Sequence, residues 1–114
     1  MTRRSAPPSP PGEFELLVLL AVLRGGDEAY GSTILSALEE RSGRPIARGA
    51  VYVTLDRLEA KGYVASRTEA ATPARGGRPR RYYTVRPAGL AALRQSLDAF
   101  ARMGEGLKLG LKHS

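Results

Sequence analysis

The chain has 114 residues, 42% of them hydrophobic and 25% charged, with no cysteine and a net charge of +7. That length holds one domain, and the apolar content suffices for a folded core. The cysteine count rules out a disulfide framework and a thiolate metal site, and no apolar run approaches the roughly 18 residues that span a bilayer. No cofactor, no metal and no membrane are therefore expected, and the chain reads as cytoplasmic.

The placement of the charge is more informative than its size. Between Arg44 and Pro87 ten basic residues face three acids, Asp56, Glu59 and Glu69, so this one segment carries the whole excess. A polyanion is its natural partner, because each neutralised phosphate releases condensed counterions.

In chain order, residues 1–11 contain Pro7, Pro8, Pro10 and Pro11 and read as a flexible tail. Arg3 and Arg4 are followed by these prolines instead of an apolar segment, so no signal peptide is expected. Glu13 to Arg24 reads as a largely buried helix, since Phe14, Leu16, Leu17, Leu20, Ala21 and Leu23 cover most of its circumference. Gly25 and Gly26 end it. A second helix is predicted from Tyr30 to Ser42, with Ile34, Leu35 and Leu38 on one face and Gly43 as its stop. A third runs from Arg48 to Lys61 on the apolar positions Val51, Leu55 and Leu58, with Gly62 at its end. The period then changes. Tyr63–Thr68 and Arg81–Val85 read as two strands of an antiparallel hairpin. Its tip, 69–80, holds Pro73, Gly76, Gly77 and Pro79. Pro87 opens a last helix, in which Leu90, Leu93, Leu97, Phe100, Leu107 and Leu111 form a heptad-like stripe with Gly104 in the missing seam position.

Three helices, a hairpin and a further helix make a mainly α fold with a small β-hairpin wing. This is the winged helix-turn-helix arrangement, here with a C-terminal dimerisation helix. The DNA-binding domain is assigned to 12–86, and the dimerisation helix and a frayed end to 87–114.

On the third helix the face opposite Val51, Leu55 and Leu58 collects Gly49, Val53, Asp56 and Arg57, with Tyr52 on the flank. Gly49 and Ala50 allow close approach to a groove, and Arg48 sits in the first turn, where recognition helices make many of their contacts. Tyr52 offers a hydroxyl to a phosphate or packs on the second helix. Arg57 reaches phosphates or a guanine edge, or pairs with a nearby acid. Arg75, Arg78, Arg80 and Arg81 lie within seven residues free of acids, and arginines so placed suit the backbone or a narrow minor groove.

The stretch Ala47-Arg-Gly-Ala-Val-Tyr-Val-Thr-Leu-Asp-Arg-Leu-Glu-Ala-Lys-Gly-Tyr-Val64 resembles the recognition-helix signature of the PadR family of transcriptional regulators. Tyr30-Gly31 with Ile34, and Gly76-Gly77-Arg78 leading to Arg81-Tyr82-Tyr83 and Gly89, resemble it too, in the same order over residues 13–103. The resemblance implies a short-form dimeric repressor whose DNA binding a small molecule often weakens. Ala47 and Arg86 stand where such proteins often carry Ser or Thr caps, a difference of ~1 kcal/mol each. Arg86 stands to add a phosphate contact instead.

Two copies packed through the first and last helices would use Phe14, Leu17, Leu90, Leu93, Leu97, Phe100 and Leu107. That arrangement sets two recognition helices about 34 Å apart on a pseudo-palindrome of double-stranded DNA. A small hydrophobic effector would meet Phe14, Leu17, Phe100 and Met103. Catalysis has no support. The one histidine, His113, is next to the C-terminus, and Gly76-Gly77 lies between strands, away from any phosphate-cradling helix start. RNA stacking on Tyr63, Tyr82 and Tyr83, and a protein adaptor built on the same fold, are the rival readings.

Overall fold

The computed structural model describes residues 10–110; the proline-rich start at 1–9, Leu111 and His113 lie outside them. Four α-helices and one hairpin follow in the expected order: α1 Glu13–Gly25, α2 Gly31–Ser42, α3 Arg48–Ala60, β1 Val64–Glu69, β2 Arg80–Val85 and α4 Pro87–Gly104. Each boundary falls within a residue or so of the sequence expectation, except at the end of α4.

The core forms where α1, α2 and α3 meet the hairpin. Leu16, Val18, Leu19 and Val22 of α1, Ile34 and Leu38 of α2, and Val51, Leu55 and Leu58 of α3 are buried there. Tyr63, Val64 and Tyr83 close it from the hairpin side. Phe14, Leu17 and Leu20 pack against this core but remain half-buried, so α1 keeps one apolar side at the surface.

Local chemistry sets the helix ends. Glu15 reaches back to accept the Gly12 N–H at 3.1 Å, and Thr33 accepts the Tyr30 N–H at 3.0 Å. Each third-position side chain thereby satisfies a donor that the helix start leaves open. Ala47 and Arg86 begin α3 and α4 without a side-chain cap, as their residue types dictate. Gly43 ends α2 with φ of 68°, a left-handed conformation that a side chain rarely adopts.

The hairpin is antiparallel, with Val64 opposite Val85 and Glu69 opposite Arg80. Its root is tied to the residues just before α2, because the Tyr83 N–H donates to the Ala29 carbonyl at 2.8 Å and Tyr30 forms an isolated bridge with Tyr82. At the same root the Tyr63 carbonyl accepts the Arg86 N–H at 2.9 Å, one step beyond the Val64–Val85 pair. A Cβ on Gly89 would lie 2.2 Å from that same oxygen, so only glycine lets α4 cross the hairpin this closely.

Two features of the last helix bear on its apolar stripe. Leu93 is buried in the chain's own core. The helix also stops at Gly104; Leu107 follows it in a turn, its N–H bonded to the Gly104 carbonyl. Two glycines, Gly104 and Gly106, flank Glu105 there, and Gly106 takes φ of 81°, which a continuing helix forbids. What remains on the outside of α4 is Leu97, Phe100 and Met103, with Leu107 and Leu109 beyond it, all exposed.

Candidate nucleic-acid interface

The expected DNA-facing residues fall on two neighbouring elements. On α3, buried Val51, Thr54, Leu55 and Leu58 anchor the inner face. Arg48, Gly49, Ala50, Tyr52, Val53, Asp56 and Arg57 are exposed on the other side. Gly49 has open space around the position a Cβ would take, so a groove wall can approach the backbone. Val53 is 57% exposed, an apolar side chain among polar ones.

Of the two roles open to Tyr52, the packing on the second helix is present. Its hydroxyl lies against the first residue of α2, where a Cβ on Gly31 would fall 2.0 Å from the oxygen. The ring nonetheless remains 41% exposed. Gly31 therefore exists in this sequence to admit Tyr52, and the phenol in turn fixes the approach of α3 to α2.

The wing arginines behave differently from one another. Arg80 stacks its guanidinium 3.9 Å above the Tyr30 ring, and Tyr30 meets Tyr82 edge-on with centroids 5.4 Å apart. On the other side Arg67 lies 4.5 Å above Tyr82. Two tyrosines between two arginines join the wing root to the start of α2 through cation–π and edge contacts. Hydrogen bonding to Tyr82 raises the Arg80 pKa further, so the group is a permanent cation. Arg81 instead turns onto Glu59 of α3, and Arg67 pairs with Glu69. Arg78 lies beyond two glycines of positive φ, Gly76 at 64° and Gly77 at 78°, which reverse the tip. The side chain of Arg75 lies outside the described residues.

These elements converge on one depression of about 330 Å³, lined by Tyr30, Ser32, Arg48, Tyr52, Arg78, Pro79, Arg80 and Arg81. Four arginines from the start of α3 and the wing thus surround one hollow at the start of α2. Tyr30 and Ser32 belong to this surface although sequence reasoning left them out. Their position at the very start of the second helix was the available signal, since the first turn of a helix-turn-helix pair lies beside the backbone of bound DNA.

The expected effector residues differ in their surroundings. Leu17 lines an apolar groove of about 270 Å³ between α1 and α2, with Leu20, Ala37 and Leu38 and with Arg24 and Arg41 at its rim. Phe100 and Met103 stand on open surface, 63% and 80% exposed. Phe14 is half-buried against the core. Among the described residues no cluster of three or more His, Asp or Glu side chains is placed to hold a metal ion. No described helix is long and apolar enough to cross a membrane.

Comparison with known proteins places this geometry. Residues 19–95 match the family model described as the transcriptional regulator PadR-like family. The chain is 33% identical over 88 residues to the transcriptional regulator Rv3488 of Mycobacterium tuberculosis, covering 77% of this chain and 78% of that one. It is similar to the crystal structure of a PadR family transcriptional regulator from Eggerthella lenta, with 29% identity and a TM-score of 0.66 over 82% of this chain and 77% of that one. The fold is also shared with BpsR of Bordetella bronchiseptica, at 20% identity and a TM-score of 0.59 over 92% of this chain and 74% of that one. That structure concerns the regulation of BpsR's DNA binding by 6-hydroxynicotinic acid.

Proposed function

The chain belongs to the PadR-like family of transcriptional regulators, winged-helix proteins that are not enzymes, and from that premise we propose that it is a homodimeric repressor. It binds a pseudo-palindromic operator by laying the exposed face of α3 in the major groove. The observation that carries this reading is the hollow in which Arg48 of α3 meets Arg78 and Arg80 of the wing beside Tyr52. A single backbone phosphate there would face several guanidinium groups, and Arg57, Gly49, Ala50 and Val53 would then lie toward base edges.

The homodimer rests on the apolar surface of α4. Leu97 and Phe100 are exposed in one chain, Leu90 is half-buried, and Leu107 continues the apolar surface past the helix. Together with Phe14 and Leu17 of α1, both half-buried, they would form the self-complementary patch that a two-fold interface needs. An effector site built from Phe14, Leu17, Phe100 and Met103 is then one that only the dimer completes. BpsR, regulated by a small acid, is the precedent among similar folds.

Titration against labelled duplex from the gene's own upstream region, with scrambled duplex as control and several salt concentrations, tests the proposal. Saturable preference for the upstream fragment at two chains per site is expected. Log affinity should fall steeply with log salt, at about 0.9 per neutralised phosphate. Absence of binding to either duplex at low salt would discard the DNA reading and favour a protein adaptor on the same fold.

A further inference from the structure

Sequence counts Arg81 with the wing arginines that face DNA, yet its guanidinium is committed to the chain's own recognition helix. Nη2 lies 3.2 Å from Glu59 Oε1, and Nε donates to Ser66 Oγ at 3.0 Å. The Ser66 hydroxyl donates in turn to Glu59 Oε2 at 2.7 Å. The three side chains close a ring that joins α3, β1 and β2. The guanidinium also lies 5.8 Å from the centroid of Tyr83, whose own ring is buried in the core.

From this geometry we infer that Arg81 is a positioning residue: the Glu59–Ser66–Arg81 ring sets the wing's angle to α3 so that both reach one duplex. The inference rests on the DNA reading above and assigns a part within it. Its physical basis is threefold. The carboxylate at 3.2 Å cancels most of the field that a phosphate would feel from this cation. The ring engages both carboxylate oxygens and uses the serine hydroxyl as donor and acceptor, so its geometry is specified on all sides. Finally, an isolated half-exposed ion pair adds little stability. Fixing the wing's orientation is the effect such a contact can have, because the ring links the Arg81 side chain of β2 and Ser66 of β1 directly to Glu59 of α3.

The two roles predict opposite signs for one substitution. Glu59→Gln removes an acid from a DNA-binding surface and frees a cation, so a phosphate-contacting Arg81 would bind DNA more tightly in this variant. A positioning Arg81 would lose its partner, and affinity would weaken about threefold or more. Duplex affinity of the wild-type chain, Glu59→Gln, Arg81→Gln, Arg81→Lys and the Glu59→Gln/Arg81→Gln pair, measured across a salt series, decides between them. We expect both glutamine variants to weaken binding with the salt slope unchanged, and the double variant to be no worse than either single. Arg81→Lys, which keeps the charge but cannot span both partners, should behave as Arg81→Gln. Unchanged or tighter binding by Glu59→Gln, wild-type binding by Arg81→Lys, or a salt slope lowered by about 0.9 in Arg81→Gln would overturn the assignment. Failure of the wild-type chain itself to bind duplex would instead overturn the DNA reading, and this inference with it.

Discussion

At the scale of single residues, Val53 is the side chain whose exposure most needs a reason. It stands among Gly49, Asp56 and Arg57 on the outer face of α3, 57% exposed, where a polar residue would cost nothing. Thymine carries the one apolar group in the major groove, its C5 methyl. In an operator selected by binding, replacing one thymine per half-site by deoxyuridine should weaken the wild-type protein by about 0.8 kcal/mol per half-site, the transfer energy of a methyl-sized group. Val53→Ala should lose that sensitivity; equal sensitivity in both proteins would show that Val53 reads no methyl. Gly31 has a different constraint. Its absent Cβ makes room for the Tyr52 hydroxyl, so Gly31→Ala should push α3 from α2 and destabilise the domain by about 1–3 kcal/mol. Gly31→Ala combined with Tyr52→Phe, measured by denaturant unfolding, should recover part of the loss.

Elements are held together by a few polar contacts placed over the apolar core. Lys61, just past α3, donates to both carboxylate oxygens of Glu15 on α1 at 3.0 Å, and both side chains are largely buried. Removing one member leaves the other charge partly buried without its partner, and Lys61→Met should therefore cost about 2 kcal/mol in unfolding free energy. The pair spans 46 positions in sequence and ties the start of α1 to the end of the recognition helix. Between hairpin and core, burial pushes the Tyr83 phenol above its ordinary value of 10.0, against the opposing pull of Arg81. A phenol raised in this way contributes stability that is fully present below that value and is lost as pH climbs through the raised one. The wild-type domain should accordingly lose stability above about pH 10 more steeply than Tyr83→Phe, as alkaline melting curves would reveal. Identical curves would mean that the buried ring ionises without consequence for folding.

For the whole molecule the decisive feature is how the apolar surface of α4 divides. Leu93 and Gly89 face inward against the chain's own core, whereas Leu97, Phe100 and Met103 face out. Leu93→Ala should therefore unfold the single domain more readily, by about 2–5 kcal/mol. Leu97→Glu/Phe100→Glu should leave the fold intact and turn a dimer into a monomer by sedimentation. Operator affinity would collapse in that variant, because two half-sites would then bind independently. A sedimentation profile unchanged by the two glutamates would place the interface elsewhere.

The order of elements, the winged-helix reading and the chain's place among PadR-like regulators were all legible in the sequence. Apolar positions at spacings of three and four define each helix face, glycines mark most of the ends, and the ten basic residues of one segment declare a polyanion partner. All of these are local patterns, legible without knowing what lies across from them. The partners of the wing arginines are set by the folded chain. Arg80 rests on Tyr30 and Arg81 turns to Glu59, partners 50 and 22 positions away that no spacing rule connects. The folded chain also decided that Leu93 belongs to the core and that Gly104 ends the last helix instead of continuing a seam. A heptad pattern marks which positions are apolar, but burial depends on what packs against them, and that is set by the close crossing of α4 over the Tyr63 carbonyl at Gly89.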